Sequence, residues 1–538
     1  GALKESVSAY LKMYAPSKSF AVTSPPERTT FTLFSCRDKL DTREGQLNVD
    51  DVDYTDTETM IEPLIGAYNA LYTRGWEEPL LLGVRGDDVN AGGLGDQQPY
   101  ADTDMYNYDR NYWMYNSLWN LQYSDIIDVN TAIDQVMRFQ EFADQEGIAR
   151  GDRYIAEIKV MRGWFHLNLA RTWKDVFIIT SNQPTEEIEA GVSSKAEVMQ
   201  WISDQMDEAI PLLQDLRPNE KTDLPGGITR YTAYAIKALA QQELGNYQEV
   251  AQATDAIIGS GKFSLYPSFY SLFKKPGELS NESLLEFQYS DYNQPNGDTF
   301  YHLYAPFGPQ NWTPARAQAS SGWGFYEPSF KWVKFMLDRN ETVRLETSVL
   351  FTDRGIDQLK NENYNNLPSF VKNTTRDGDV INNFERAYFS SGKHYLPSNQ
   401  LTDQRNDYGA GKNMIVIRYA EILLMHAEAL TRGANSTTIS ADEAVNIVRN
   451  RANMASVSNV TTDQVLQEKY AELALELGVR FYDMIRTNKY NELSYDGRTF
   501  SAADVYLPYP QAQVDALPLE ATDVDTDTEM NAALNNLN

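Results

Sequence analysis

Residues 230–265, RYTAYAIKALAQQELGNYQEVAQATDAIIGSGKFSL, constrain the fold more than any other stretch. Ala233, Ile236 and Ala240 recur at helical spacing, and Val250, Ala253 and Ile257 do so again after a break at Leu244-Gly245-Asn246-Tyr247. The spacing places each set on one helix face. A glycine–aromatic turn between two helices with small residues at their crossing is the pattern of a tetratricopeptide-like pair. Such a pair cannot bury its apolar faces alone, so it requires neighbours of similar size.

The neighbours are legible. Residues 62–72 carry Pro63 in a first helical turn. Residues 111–137 place Trp119, Tyr123, Ile126, Ile127, Ile133 and Val136 at helical spacing. Residues 152–173 carry the stripe Ile155, Ile158, Met161, Phe165 and Leu169. Residues 193–213 open on a serine ahead of a glutamate, a capping signature. A further pair is expected over 415–430 and 441–452. The predicted architecture is mainly α: a tetratricopeptide-like α/α superhelix with a large irregular loop-rich lobe and a few short strands. The helical scaffold is expected over about 60–265 and 413–490, and the irregular, ligand-binding lobe over about 266–412.

Within the second part of the scaffold, 413–430 sets Ala420, Leu423, Leu424, Ala427 and Leu430 on one face, with Arg418, Glu421 and Glu428 among them. Residues 467–486 echo this, with Leu473, Leu477 and Phe481 on one helical stripe beside Glu472, Glu476, Arg480, Asp483 and Arg486. Charges this close to an apolar stripe are costly to bury unpaired, so carboxylate–guanidinium pairs between helices are expected. Glu421 and Glu428 share a face two turns apart. Pairing with Arg418, Arg449, Arg451 or Arg480 accounts for them better than an acid–base role, because one helical stripe offers no cleft.

Residues 266–410 are rich in Gly, Pro, Asn and aromatics. A strand is expected at 283–289, a helix at 328–338, and a strand-like piece at 506–510. The acidic run 48–59 lacks the glycine of a calcium loop and reads as a solvated segment.

Composition narrows the function. The balance of 47 Lys and Arg against 76 Asp and Glu gives a net charge of −29, which argues against nucleic acid and against an anionic membrane surface. A neutral ligand such as a sugar, or a partner with basic patches, remains open. One cysteine, Cys36, excludes an intramolecular disulfide framework and a cysteine-based zinc site. It reads as a buried small apolar residue. No stretch is long and apolar enough to span a membrane. The opening Gly1-Ala2-Leu3-Lys4-Glu5 is no secretory signal and reads as a trimmed start.

No catalytic constellation is evident: there is no G-x-S-x-G elbow and no phosphate loop, and Gly92-Gly93-Leu94-Gly95 reads as a plain turn. His166, His302, His394 and His426 are never paired at metal spacing and read as structural. Neither a metal site nor a cofactor is expected. Aromatics are the better candidates, because the C–H faces of sugar rings stack on Trp and Tyr while hydroxyls take amides and charged groups. Trp and Tyr in Gly/Pro/Asn loops fit that role: Tyr292, Tyr301, Tyr304, Trp312 and Trp323 in the lobe, and Trp76 and Tyr100 in the loops of 74–104. Asp87, Asp88, Asn90, Asn293, Asn296 and Arg316 stand near them as hydrogen-bonding partners, Asn293 and Arg316 foremost. Trp113, Trp119, Trp164, Trp173 and Trp201 are assigned to the core.

Six segments carry a resemblance. RYAEILLMHAEAL, AVNIVRNRA at 444–452, ELALELGVRFYDMIRTNK at 472–489 and YLPYPQAQVDALP at 506–518 resemble the C-terminal signature of the SusD/RagB family. DRYIAEIKVMRGWFHLNLARTWKDVFII and GGITRYTAYAIKALAQQELGNYQEVAQATDAIIGSGKFSL resemble its internal helices. Leu477 departs from the pattern as an insertion ahead of the family's glutamate–glycine junction. The resemblance implies a single SusD-like unit: a non-catalytic, cell-surface outer-membrane lipoprotein of Bacteroidetes-type bacteria. Such a protein binds oligo- or polysaccharide on an aromatic platform and delivers it to a TonB-dependent, SusC-like transporter. It also implies a precursor with a signal peptide and a lipidated cysteine as its only link to the membrane. The competing readings are a glycoside hydrolase on a helical scaffold and a helical-repeat protein-interaction scaffold.

Overall fold

The computed structural model describes residues 52–93, 95–291, 304–385 and 387–519. Cys36, Tyr292, Asn293, Asn296, Tyr301 and His302 lie outside them, as does the acidic run up to residue 51.

The helices begin and end where their own residues dictate. Those of the first part are α1 (Ile61–Tyr72), α2 (Trp113–Gln140), α3 (Gln145–Trp173), α4 (Lys195–Ala209), α5 (Arg230–Glu243) and α6 (Tyr247–Gly259). Helix α4 opens with the expected capping box, in which Glu197 N–H donates to Ser194 Oγ at 3.3 Å and Ser194 N–H to Glu197 Oε2 at 2.8 Å. At the end of α5, Gly245 takes φ +73°. Its N–H donates to Gln242 O at 3.1 Å and that of Asn246 to Gln241 O at 3.0 Å. This is a Schellman stop, which glycine adopts without a Cβ penalty.

Each helix packs on the next, α1 on α2 and so on to α6. The stack then passes over the lobe in sequence. Helix α6 packs directly on α8 (Tyr419–Thr431), which packs on α9 (Ala441–Arg451) and α10 (Thr462–Leu473). Between them the chain makes its excursion, with α7 (Phe330–Asp338) in it. Two of its strands pair with strands outside it: β3 (Phe325–Pro328) runs antiparallel to β1 (Val89–Gly92) from the first part of the chain, and β2 (Ser283–Phe287) antiparallel to β4 (Met414–Arg418), which leads into α8. The β2–β4 pair ties the start of the excursion to its end. One buried apolar cluster runs from Met60 in the first helices to Leu519, including Trp332 and Phe389 of the excursion.

Two expectations fail. Residues 467–486 are not one helix: α10 ends at Leu473 and α11 (Val479–Arg486) starts anew. Leu475, Leu477 and Gly478 all have positive φ. The freed backbone groups find other partners, as buried polar groups must. Leu475 N–H donates to Asp88 Oδ2 at 2.7 Å, and Glu472 O accepts from Lys393 Nζ at 2.8 Å and Arg418 at 2.9 Å. A Cβ on Gly478 would stand 2.0 Å from Leu82 O, so the break seats this turn against the helix at Glu77–Gly83. Residues 506–510 form no strand either. They run extended against α3, where Leu507 N–H donates to Thr172 O at 2.9 Å and Trp173 Nε1 to Pro508 O at 3.2 Å.

The expected ion pairs form, with partners drawn from farther off. Arg418 spends all five N–H groups: Nε on Glu476 at 2.7 Å, Nη1 on Glu282 at 2.9 Å and Glu472 at 2.7 Å, and Nη2 on Glu476 at 2.8 Å and Glu472 O at 2.9 Å. Arg451 bridges Glu282 at 2.9 Å and also meets Glu472. Arg344 joins Glu341 at 2.9 Å to Glu468 at 2.7 Å. Glu282, Glu341 and Arg344 belong to the excursion, so this network fastens it to the scaffold. Glu428 pairs with Arg486 at 2.5 Å and Arg432 at 3.0 Å, and Arg480 with Asp87 at 2.6 Å. None of the four arginines proposed as partners of Glu428 is used for it.

Candidate functional site

Three tryptophans meet at the surface. Trp76 immediately precedes the short helix Glu77–Gly83, Trp113 is the first residue of α2, and Trp323 lies in the loop that leads into β3. The Trp76 ring lies 5.8 Å from that of Trp113, at 59° between planes. It lies 5.5 Å from that of Trp323, at 85°. These are the spacings of favourable aromatic pairs. The series continues inward through Phe325, 6.3 Å from Trp323, to Tyr100, 5.5 Å from Phe325. Trp113 is 48% exposed, and Trp76 and Trp323 are half-buried.

The loop that presents Trp323 is pinned. Trp323 N–H donates to Ala305 O at 2.7 Å, Gly324 N–H to Gly308 O at 3.0 Å, and Phe325 N–H to Pro306 O at 2.8 Å. Asn116 and Ser117 follow Trp113 by one turn and so share its helix face. Ser117 Oγ donates to Glu77 Oε1, which links that face to the residue after Trp76.

Trp113 corrects the assignment to the core. The buried residues of α2 include Met114, Tyr115, Leu118 and Trp119. Trp113 stands out of phase with Trp119, the first member of the apolar stripe, and this phase was the available signal. Trp119, Trp164 and Trp173 are buried as expected, while Trp201 is half-buried against His166.

Other candidates lie elsewhere. Tyr100 is 1% exposed and Tyr304 is 7%; Tyr304 Oη donates to Asn413 O at 2.7 Å. Trp312 is buried with its ring 5.7 Å from Tyr408. These loops fold onto the core, and their rings anchor them. Arg316 is committed to the loop beside it, donating to Ser398 O at 2.7 Å and Leu401 O at 3.0 Å and pairing with Asp403. Asp87 is buried and paired with Arg480 and Lys331, and Asp88 accepts from Leu475. Asn90 Oδ1 accepts from Tyr495 and Arg498, both at 3.1 Å.

Of the histidines, His166 is fully buried and held at about 3 by desolvation, with Nδ1 2.8 Å from Arg162 O and Nε2 accepting from Ile179 N–H at 3.1 Å. His394 is likewise held at about 3 by burial, and its ring stacks 4.1 Å from that of Phe307. His426 lies between Thr254 Oγ1 at 2.8 Å and Ile439 O at 3.0 Å. Burial pushes Glu421 up to about 7, whereas Arg486 and Lys469 overcome the burial of Glu428 and hold it at about 2. Among the described residues no group of three His, Cys, Asp or Glu could hold a metal ion. No helix among them is long and apolar enough to cross a membrane.

A fold of stacked helix pairs with a loop-rich excursion is that of the SusD-like proteins. Residues 281–519 match the SusD family profile, and residues 49–240 match a profile described as starch-binding associating with outer membrane. The chain belongs to the SusD/RagB family. It is 24% identical to SusD-like protein P38 of Formosa agariphila over 409 residues, 69% of this chain and 72% of that one. Its fold matches surface glycan-binding protein A from Bacteroides thetaiotaomicron in complex with laminarihexaose, with TM-score 0.70 and 24% identity over 85% of this chain and 97% of that one. It also matches a laminarin binding SusD-like protein, with TM-score 0.72 and 20% identity over 87% and 99%.

Proposed function

We propose that this protein holds an uncharged oligosaccharide or polysaccharide against Trp76, Trp113 and Trp323 without cleaving it, and delivers it to a TonB-dependent, SusC-like outer-membrane transporter. The observation that carries this reading is the contact of Trp76 with both Trp113 and Trp323, beside the exposed ring of Trp113. Indole faces suit the C–H faces of pyranose rings, and rigid aromatics hold a ligand at low entropic cost. The net charge of −29 disfavours an anionic glycan. Laminarihexaose and laminarin, the ligands of two proteins of the same fold, are the first glucans to test.

The proposed unit is one module, with a scaffold over about 60–265 and 413–490 and a ligand lobe over about 266–412. The lobe supplies Trp323, while Trp76 and Trp113 come from the scaffold, so the platform needs both. A lipidated cysteine preceding the sequence would hold the protein at the cell surface.

Isothermal titration with laminari-oligosaccharides, and with a sulfated glycan for comparison, tests the reading. Saturable binding of the neutral ligand that is weakened at one site in each of Trp76→Ala, Trp113→Ala and Trp323→Ala supports it. Sustained release of reducing sugar would replace it with the hydrolase reading. Unchanged binding in all three tryptophan variants would remove the platform.

A further inference from the structure

A second concave surface lies apart from the tryptophans. A cleft of about 810 Å³ opens between α7 with Tyr364 and Tyr388 on one side and β1 with Tyr495 and Arg498 on the other. Small-molecule sites commonly measure about 300–1,000 Å³. None of the three tryptophans lines it.

Its walls have the chemistry of a sugar site. Phe330, Tyr364, Tyr388 and Tyr495 line it and are all half-buried. They are also fixed in place. Phe330 lies edge-on to Tyr388 at 5.6 Å. Tyr495 Oη donates to Val89 O at 2.9 Å, and the Arg498 guanidinium covers its ring at 4.5 Å. Tyr364 Oη donates to Asp338 at 3.0 Å. A ring already positioned loses little entropy when a ligand stacks on it.

The charges exclude an anion. Lys331 is paired with Asp87 at 2.7 Å and Glu492 at 3.0 Å, Lys334 with Glu362 at 2.7 Å, and Arg498 with Asp104 at 2.7 Å. With every lining cation already matched, a carboxylate, phosphate or sulfate gains nothing there. Glu327 sits at the base, accepting from Tyr388 N–H at 2.5 Å and Phe389 N–H at 3.0 Å. Burial pushes its carboxyl up to about 7, so near neutrality both its protonated and ionised forms are populated.

We infer that this cleft is a second carbohydrate site, taking an uncharged oligosaccharide on its phenylalanine and tyrosine rings independently of the tryptophan platform. The inference rests on the glycan reading of the protein for its ligand class only. The two sites are separable by mutation.

Titration calorimetry with laminarihexaose, together with saturation-transfer NMR, tests it on six proteins: wild type, a Trp76→Ala/Trp113→Ala/Trp323→Ala triple variant, Tyr364→Ala, Gln358→Trp, which narrows the cleft, and the triple variant with each of these two added. Two binding events are expected in the wild type. The triple variant should keep one, and adding Tyr364→Ala or Gln358→Trp to it should weaken that event at least ten-fold. Thermal denaturation checks that each variant is folded. A triple variant that binds nothing overturns the cleft and leaves the platform standing. A triple variant with both events intact overturns the platform, and loss of one on Gln358→Trp then upholds the cleft. A wild type that binds no uncharged oligosaccharide overturns both.

Discussion

The ring of Trp76 lies between those of Trp113 and Trp323, at 5.8 and 5.5 Å, and so joins a helix start in the scaffold to a loop of the excursion. The three reach the surface together only in the folded protein. Each therefore contributes to one surface, and truncating the central ring removes support for both others. Trp76→Ala is expected to raise the Kd for a bound glucan about ten-fold or more, equivalent to at least 1.4 kcal/mol. Trp113→Ala should cost less, because its ring touches one neighbour of the three. Titration calorimetry gives both values.

Trp312→Ala and Tyr304→Ala are expected to behave differently. Both side chains are buried, so their loss leaves cavities costing about 3–5 kcal/mol for the larger ring. Thermal denaturation should show the loss, while glycan affinity in the remaining folded protein stays within two-fold.

Arg418 holds Glu282, Glu472 and Glu476 together through five donors. Arg418→Met keeps much of the volume and leaves three carboxylates short of a partner. Breaking a buried pair from one side costs about 3–5 kcal/mol. Chemical denaturation should register that loss, and the midpoint shift should shrink when Glu472→Gln is added.

The same cluster sets acid stability. Arg451, Arg418 and Arg344 overcome the burial of Glu472 and hold its carboxyl at about 2, below its ordinary 4.5. A depressed acid contributes stability that is complete above the unfolded value and is lost as pH falls through the folded one. The contribution, about 3 kcal/mol, should therefore disappear between roughly pH 4.5 and 2. Urea unfolding across this range should be steeper in the wild type than in Glu472→Gln.

Glu421 has the opposite sign. Burial raises it to about 7, so the folded state binds its proton more tightly than the unfolded chain. Stability is then lost as pH rises from about 4.5 to 7. Glu421→Gln is expected to stabilise the protein at pH 8 by on the order of 3 kcal/mol and to change little at pH 4. Unfolding at the two pH values distinguishes this from a uniform packing effect.

Much of the scaffold was legible because its signals are local. The Ser194–Glu197 cap, the Gly245 stop and the stripes of α3, α5 and α6 depend on spacing and on near neighbours in the chain. The break between α10 and α11 was not legible. Leu473, Leu477 and Phe481 keep helical spacing across it, and its cause is the approach of Gly478 to Leu82, far away in sequence. The insertion of Leu477 was visible, but its backbone consequence was not. For the site, the argument from loop composition treats all these aromatics alike, whereas the structure leaves Trp76 and Trp323 half-buried. It fails for Tyr100, Tyr304 and Trp312, because loop composition does not tell whether a loop lies over the core or stands away from it.

The sequence by itself determined a helical repeat scaffold, a loop-rich excursion, an acidic protein suited to a neutral ligand, and membership of the SusD/RagB family. The first three follow from periodicity, capping and charge count, each fixed by composition or by residues a few positions apart, and the family from the resemblance of the six quoted segments. The tertiary structure alone decided which rings are exposed, which carboxylates Arg418 gathers, and that Trp113 leaves the core to stand beside Trp76. The physical reason is that burial is a property of the packed whole. A side chain is exposed or paired according to what distant segments bring against it, and no local pattern encodes that approach.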